Sequence, residues 1–193
     1  MQILIEDNFF DSNSLEKLRK FGLSFDYISS QQMEEKMGSD RGWKGYRTRK
    51  LTSYDKFFLY NCQEKIFKKV GEFFDCKKLQ ITSYFHLTFE DTKKITTYIR
   101  DKYHRDTDCV YAGIVYMTPN PQLNAGTSIL DEENNKIVDI DNVYNRLVSY
   151  PGNYFHAISD TFGTTKEDAR MTLTFFVHEK YMTLDRGNPD IFY

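Results

Sequence analysis

The sequence predicts a mainly β fold, a sandwich or jelly roll, with supporting helices against one face of a sheet. Aromatic residues make up 16% of the 193 residues, including 14 Tyr and 16 Phe, which favours a sheet-rich interior over a helical bundle. From residue 79 onward, short β-rich runs follow one another, and turn residues separate most of them. The preceding residues show helical periodicity instead, and such helices can cover one face of a sheet.

The N-terminal residues predict one short strand and two helices. Residues 3–5 are apolar and predict the strand. Residues 11–14 carry side-chain oxygens that can cap an amphipathic helix, which we expect to end at Gly22. A longer helix is expected to start near Thr52 or Ser53 and to continue to Phe74, because apolar residues recur there at helical spacing.

Seven further strands are predicted in the rest of the chain. They cover residues 79–89, 95–99, 110–118, 126–130, 136–138, 146–150 and 171–178. No repeat, low-complexity tract or linker rich in proline and glycine interrupts the sequence. We therefore expect one domain over residues 1–193, with helical support in residues 1–78 and a jelly-roll core in residues 79–180.

Composition excludes few functions but limits the setting. The formal net charge of -2 gives no overall attraction to nucleic acid or to an anionic membrane. The three cysteines are scattered without metal-ligand spacing, which predicts neither a disulfide framework nor a zinc site and favours a reducing compartment. The N-terminus lacks the features of a secretion signal, and no apolar run is long enough to span a bilayer. A soluble, cytoplasmic protein is expected.

A His-x-Asp motif and a distant histidine are the candidate metal ligands. His104 and Asp106 are two residues apart, so on an extended strand their side chains share one face. His156 lies on a later segment that could cross the barrel to the same ion. Two histidines and one carboxylate form the facial triad associated with non-heme Fe(II). A His-x-Asp pair alone is more often structural, so the prediction depends on the further residues.

Arg170 begins a predicted strand with an unusually polar face. Alternation puts Arg170, Thr172 and Thr174 on the same side of this strand. An α-keto acid that chelates iron leaves its distal carboxylate in need of a cation, and the planar guanidinium of arginine suits that role. The order His-x-Asp, distal His and Arg-x-Thr is much harder to obtain by chance than any one of these motifs.

Residues 80–178 resemble the 2-oxoglutarate/Fe(II) dioxygenases, in particular the prolyl-hydroxylase-like branch and small phage and bacterial members of unassigned substrate. The resemblance rests on His104 and Asp106, His156, Arg170-Met171-Thr172 and three intervening segments. These segments are residues 112–118, 125–128 and 145–148.

This resemblance implies a double-stranded β-helix, the cupin-like jelly roll, and a set of site residues. His104, Asp106 and His156 would bind Fe(II), and Arg170 would pair with the distal carboxylate of 2-oxoglutarate. Tyr116 or Thr172 would donate a hydrogen bond to that carboxylate. The implied reaction uses O2, yields succinate and CO2, and oxidises a C–H bond of a substrate, most simply by hydroxylation. The implied setting is the cytoplasm of a bacterial or virus-infected cell.

Other candidate residues favour structural interpretations. His86 alternates with aromatic residues and is interpreted as a half-buried strand histidine. His178 precedes two charged residues and is interpreted as a solvated strand end. The basic and aromatic segment of residues 41–50 could stack bases and neutralise phosphates, although a solvated loop or a protected edge strand is the commoner explanation. If functional, this segment is expected to flank the active-site mouth and to select an anionic or extended substrate.

Two rival functions stay open at this point. One is a non-catalytic jelly-roll module that binds nucleic acid or another polyanion. Binding that is sensitive to salt but independent of iron would favour it. The other is a cupin-like enzyme that uses another metal and no keto acid; an Arg170→Ala variant of unchanged activity would favour it. The substrate can be a peptide, a small metabolite or a nucleobase, because specificity in such folds lies in loops.

Overall fold

The computed structural model describes residues 2–37, 45–51, 57–75, 79–95, 103–130 and 136–179. These residues contain three α-helices, one short 3-10 helix and ten strands. The helices are α1 (Ser12–Leu23), α2 (Ser30–Met37), α3 (Phe57–Phe73) and the 3-10 helix Glu90–Ile95. The strands are β1 (Leu4–Glu6), β2 (Ile28–Ser29), β3 (Tyr46–Arg47), β4 (Leu79–Thr88), β5 (Tyr111–Tyr116), β6 (Thr127–Leu130), β7 (Lys136–Ile140), β8 (Leu147–Pro151), β9 (Phe155–Ile158) and β10 (Arg170–Glu179).

The described strands form two antiparallel sheets. The larger sheet has seven strands in the order β1-β8-β5-β10-β4-β3-β2, and the smaller one has three in the order β7-β6-β9. An apolar cluster joins them, with Ile114 and Val148 from the large sheet and Ile129 and Ile140 from the small one. The prediction of a mainly β jelly roll with supporting helices is confirmed, because two facing sheets enclose this cluster.

A second apolar core lies on the other face of the large sheet, where the helices pack. Alternate residues of β10, from Met171 to Val177, are fully buried there. Helix α1 contributes Leu15 and Leu18, and helix α3 contributes Leu59, Ile66 and Val70. The regular spacing of these helical positions gives each helix one apolar stripe, so the N-terminal residues cover the sheet as expected.

Helix α1 begins as predicted but ends one residue later. The Asp11 carboxylate accepts a hydrogen bond from the Ser14 backbone N–H at 2.9 Å, which caps the helix. Gly22 lies within the last turn because a β-carbon at this position would overlap the side chains of Met171 and Phe85. This glycine therefore permits close packing of the helix on the sheet rather than ending the helix.

Several boundaries differ from the sequence prediction. The predicted start of the long helix, at Thr52 or Ser53, lies outside the described residues, and α3 is described from Phe57. The predicted strand at residues 95–99 is not borne out at its first position, since Ile95 ends the 3-10 helix, and its other residues lie outside the described part. The region assigned to helical support also provides β1, β2 and β3 to the large sheet.

None of the helices in the described part of the chain is both long and apolar enough to cross a membrane.

Candidate metal centre

Backbone pairing brings the two candidate histidines together. His104 forms an isolated antiparallel bridge with His156 of β9. The His104 N–H donates to the His156 carbonyl at 3.1 Å, and the His156 N–H donates back at 2.9 Å. Asp106 is held by its N–H, which donates to the Gly152 carbonyl at 2.9 Å. Residues far apart in sequence are thus fixed side by side through their main chains.

The three side chains converge on one point. The His156 Nε2 lies 3.2 Å from one carboxylate oxygen of Asp106, and the His104 Nε2 lies 3.9 Å from the other. One ligand atom from each residue falls within 4.8 Å of the others, and within the described ranges this is the one cluster with such spacing. Imidazole nitrogens and a carboxylate at these distances can share a divalent ion.

The surroundings of His156 orient its ring. The Nδ1 atom lies 3.1 Å from the Tyr154 carbonyl. When Nδ1 carries the proton, it donates to this carbonyl and leaves Nε2 with a lone pair for an ion, as is usual for metal-binding histidines. The imidazole therefore has a supporting contact of the kind that metal sites use.

The turn beside Asp106 depends on a glycine. A β-carbon on Gly152 would overlap the carbonyl oxygens of Asp106 and Cys109. The Cys109 thiol also lies 3.2 Å from the Asp106 carbonyl. Gly152 thus allows the backbone approach that sets the position of Asp106.

Electrostatics keep the Asp106 carboxylate ionised. Burial raises the pKa of this group, but the hydrogen bond from His156 and the charges of His156, His104 and Arg47 outweigh burial and lower the pKa below 3.8. An ionised carboxylate is the form that binds a metal. The Asp106 carboxylate therefore carries its negative charge at neutral pH.

Arg170 lies in a separate, fully enclosed position. Only 2% of its surface is exposed. Its Nε donates to the Ala125 carbonyl at 2.7 Å, and one terminal nitrogen donates to the Gly126 carbonyl at 3.2 Å. Burial lowers the pKa of this guanidinium. Among the residues that the structure describes, no carboxylate pairs with it, so a buried positive charge is present without an anionic partner.

The other two predicted cofactor residues lie beside Arg170. Tyr116 of β5 is directly paired with Thr172 of β10. The Arg170 guanidinium lies 5.4 Å from the centre of the Tyr116 ring. The Tyr116 hydroxyl is 2.8 Å from the Thr127 hydroxyl, and both Tyr116 and Thr172 are buried. The structure thus groups hydroxyl donors around a buried guanidinium, which is a suitable environment for a carboxylate.

Comparison with known proteins identifies this architecture. No family model and no curated protein matches the sequence. A prolyl-4-hydroxylase from Pseudomonas putida matches with a TM-score of 0.59 and 10% identity, covering 92% of each chain. A prolyl hydroxylase from Trichoplax adhaerens, solved with a hypoxia inducible factor peptide, matches with a TM-score of 0.59 and 12% identity, covering 96% of this chain and 87% of its own. HygX from Streptomyces hygroscopicus, solved with nickel and 2-oxoglutarate, matches with a TM-score of 0.56 and 12% identity, covering 93% and 83%.

The chain has the fold of the 2-oxoglutarate/Fe(II) oxygenases. Two of these three structures are prolyl hydroxylases, so the fold is the one expected from the resemblance to that branch. In this oxygenase fold, His104 and His156 are direct neighbours joined by their backbone bridge.

One residue of the site was missed from the sequence. Tyr150 of β8 is 3% exposed, and its ring centre lies 4.8 Å from that of His156. Burial raises the pKa of Tyr150 well above its usual value, with the charge of Asp106 acting in the same direction and that of Arg170 opposing it. Tyr150 therefore packs against a candidate metal ligand on the inner side of the large sheet. Tyr150 is two residues from Val148, so strand alternation indicated that the two share a face. Alternation could not tell whether that face was the inward one.

The two remaining histidines take different positions in the oxygenase fold. His86 is buried on β4 and lies outside the metal-ligand cluster. The prediction of a solvated strand end at His178 is wrong. Its side chain is 9% exposed, with Nδ1 2.8 Å from the Asp108 carbonyl and Nε2 3.2 Å from the Thr82 hydroxyl. Strand β10 continues to Glu179, so alternation turns His178 inward.

The basic and aromatic segment is described from Gly45 onward, and residues 41–44 lie outside the described residues. Tyr46 and Arg47 form strand β3, which pairs with β4 of the large sheet. Arg49 lies with its guanidinium 5.6 Å from the centre of the Phe25 ring. Among the described residues, Tyr46 and Arg47 thus lie on an inner strand of the sheet, and Arg49 packs on its helix side.

A cavity of about 690 Å³ lies away from the metal centre. Tyr27, Tyr46, Leu87 and Phe89 are among its lining residues, and these side chains all pack with the helix-side core. None of the three candidate metal ligands lines it. Its size is in the range of ligand pockets, but it lies on the helix side of the sheet, opposite the face that carries Arg170 and Thr172.

Proposed function

We propose that this protein is an Fe(II)- and 2-oxoglutarate-dependent oxygenase that oxidises a C–H bond of its substrate, most simply by hydroxylation. The observation that carries the proposal is the convergence of His104, Asp106 and His156 within 4.8 Å. This donor set suits Fe(II) and leaves coordination positions open for a chelating cosubstrate.

The buried guanidinium supports 2-oxoglutarate as that cosubstrate. Arg170 has carbonyl partners but no carboxylate partner among the described residues, and a dicarboxylate would supply one. Tyr116 and Thr172, paired side by side, would donate hydrogen bonds to the same carboxylate. When bound, the iron and 2-oxoglutarate use O2 to convert 2-oxoglutarate to succinate and CO2 and to transfer an oxygen atom to the substrate.

The residues of the chain act by orientation and by exclusion of water. The bridge between His104 and His156 holds the ligands in place, and the Tyr154 carbonyl holds the ring of His156. Tyr116, Tyr150 and Arg170 are all buried, so the surroundings of the Arg170 guanidinium are shielded from solvent. A dry pocket strengthens the attraction between the guanidinium and a bound carboxylate.

Arg170 also favours this function over a cupin-like enzyme without a keto acid. The Arg170 guanidinium is only 2% exposed, and burying such a charge is costly. A bound anionic cosubstrate explains this burial, whereas a metal enzyme without a keto acid does not. Among the compared structures, the Trichoplax enzyme was solved with a peptide. We propose a peptide or a small molecule as the substrate.

Two aspartates two residues apart provide a matched test of the metal centre. Asp106 is a proposed ligand, whereas the Asp108 side chain is exposed. We expect Asp106→Asn to reduce Fe(II) affinity and succinate release at least about 100-fold, because loss of a direct ligand exceeds the usual effect of its supporting contacts. Asp108→Asn should leave both unchanged.

The measurements are anaerobic titration calorimetry with Fe(II) and then 2-oxoglutarate, followed by succinate release in air. Thermal unfolding of both variants checks that they are folded. Equal iron binding and succinate release by wild type and Asp106→Asn would contradict the proposal.

A further inference from the structure

A row of polar side chains crosses the inner face of the large sheet. Residues directly paired across neighbouring strands share a face. Arg47 of β3 is paired with His86 of β4, His86 with Thr172 of β10, and Thr172 with Tyr116 of β5. Arg47 therefore lies on the same face as the proposed cofactor residues, two strands from Thr172, or about 10 Å away.

Aromatic side chains lie next to Arg47. Its guanidinium is 5.4 Å from the centre of the Tyr84 ring, a cation–π distance. Tyr84 in turn meets Phe176 of β10 edge to face, with ring centres 6.0 Å apart. A half-buried cation over the Tyr84 ring, with the Phe176 ring beside Tyr84, forms a surface with one charged end and one apolar end.

This surface lies on the same inner face as the proposed cofactor residues. One strand, β4, separates Arg47 of β3 from Thr172 of β10 in the sheet. A guanidinium has five N–H donors, so Arg47 can bind an added anion alongside its other contacts.

We propose that Arg47 and Tyr84 form a substrate subsite and that the primary substrate carries a carboxylate or phosphate group bound by Arg47. The carbon skeleton next to this group packs on the Tyr84 and Phe176 rings. The planar fork of arginine matches both anions. This inference rests on the proposed oxygenase function, which it deepens by assigning two arginines of the inner face to different anions: the buried Arg170 to the cosubstrate and the half-buried Arg47 to the substrate.

The test uses three small probes of the same shape family: benzoate, phenyl phosphate and the neutral benzamide. Full-length protein is loaded with Mn(II), which does not turn over, and with saturating 2-oxoglutarate to occupy Arg170. Saturation-transfer NMR measures probe affinity, and Mn(II)-induced proton relaxation shows whether the bound probe lies near the metal. We expect at least one anionic probe to bind near Mn(II) at least about tenfold more tightly than benzamide.

Three arginine variants test the role of Arg47. Arg47→Gln should weaken the preferred anion about tenfold or more, whereas Arg49→Gln, which alters the arginine packed on Phe25, should leave it unchanged. Preference for benzoate or for phenyl phosphate identifies the anion. Arg47→Lys keeps the charge without the planar fork and should retain part of the affinity for the anion. This variant therefore distinguishes loss of the anion site from loss of the fold.

Mn(II) and 2-oxoglutarate affinities are measured in the same samples. Arg47→Gln should change them less than threefold. If neither bound to the wild type, the oxygenase proposal would fail, and the NMR comparison of Arg47→Gln with Arg49→Gln would still report on the anion site. Equal anion affinity in wild type, Arg47→Gln and Arg49→Gln would overturn the inference. So would an Arg47→Gln variant that loses Mn(II) but keeps the anion, because Arg47 would then act only by supporting Asp106.

Discussion

The two faces of strand β10 differ sharply in character. On the helix side, Met171, Leu173, Phe175 and Val177 are all 0% exposed and pack into the larger apolar core. On the inner side, the same strand presents Arg170, Thr172, Thr174, Phe176 and His178. One strand thus contributes apolar packing on one face and, apart from Phe176, hydrogen-bonding or charged groups on the other.

This difference shows how the large sheet separates stability from chemistry. Burial of apolar side chains against α1 and α3 stabilises the sheet, and the sheet then holds costly buried polar groups on its inner face. Arg170 and Tyr116 can remain in a desolvated pocket because the opposite face compensates for them. Substitutions on the two faces should therefore affect different measurements.

The largest expected effect on stability is on the helix side. Phe175→Ala removes a ring that is 0% exposed and should lower the free energy of unfolding by about 3–5 kcal/mol. Phe176→Ala, at the next position but half-buried on the inner face, should cost less, roughly 1–2 kcal/mol. Urea unfolding measures both values. Equal losses of unfolding free energy in the two variants would contradict the distinction between the faces.

Arg170→Met tests the inner face. We expect 2-oxoglutarate affinity to fall about 100-fold or more, since a buried charged partner is removed. Stability should fall by less than about 2 kcal/mol, because the lost hydrogen bonds to Ala125 and Gly126 are offset by removal of a buried charge. Calorimetric titration and urea unfolding give the two values. Arg146→Met, at a more exposed arginine, is the control. An equal loss of 2-oxoglutarate affinity in this variant would show that Arg170 has no specific role.

The smallest effect is expected at a sheet edge outside both faces. The Arg146 guanidinium forms two hydrogen bonds with the Asp7 carboxylate, at 2.5 Å and 2.9 Å. Exposed pairs of this kind contribute under about 1 kcal/mol, so Asp7→Asn should lower the free energy of unfolding only by that amount at neutral pH.

The same pair has a defined pH dependence. The hydrogen bond from Arg146 is the main cause of the lowered pKa of Asp7, which lies below 3.8 in the folded protein. A depressed carboxyl pKa stabilises the fold above the unfolded value, and this contribution is lost as the pH falls through the folded value. The difference between wild type and Asp7→Asn should therefore be present at about pH 6 and vanish in strong acid. A difference that grows on acidification would show that the pair does not stabilise the fold.

Local patterns predicted most of the strands. The predicted strand at residues 79–89 is β4, Leu79–Thr88, and the one at residues 171–178 lies within β10, because alternation and turn residues act over short distances. The cap at Asp11 was equally local. The strands β2 and β3 were not predicted as such, since two-residue strands have no periodicity to detect. Strand β9 was expected only as the segment that carries His156.

The candidate site was only partly predictable. His104, Asp106 and His156 were proposed from the order of motifs, and the structure places them together. Tyr150 was not assigned to the site, because alternation tells which residues share a face but not which face is inward. Arg47 was considered only as part of residues 41–50, a segment expected to flank the active-site mouth if functional. His178 was misjudged for a different reason: the charged residues after it suggested that the strand had ended, whereas β10 continues to Glu179.

The sequence by itself determined the alternation of β10, the cap and apolar stripe of α1, and the residue types of a metal site and an anion pocket. These features depend on the period of a strand or helix and on side-chain chemistry, both of which are local. Only the tertiary structure decided that the His104 and His156 backbones pair, that Arg170 is enclosed without a carboxylate partner among the described residues, and that Arg47 faces Tyr84. These depend on strand order and register across the sheet, which are set by packing between residues far apart in the chain.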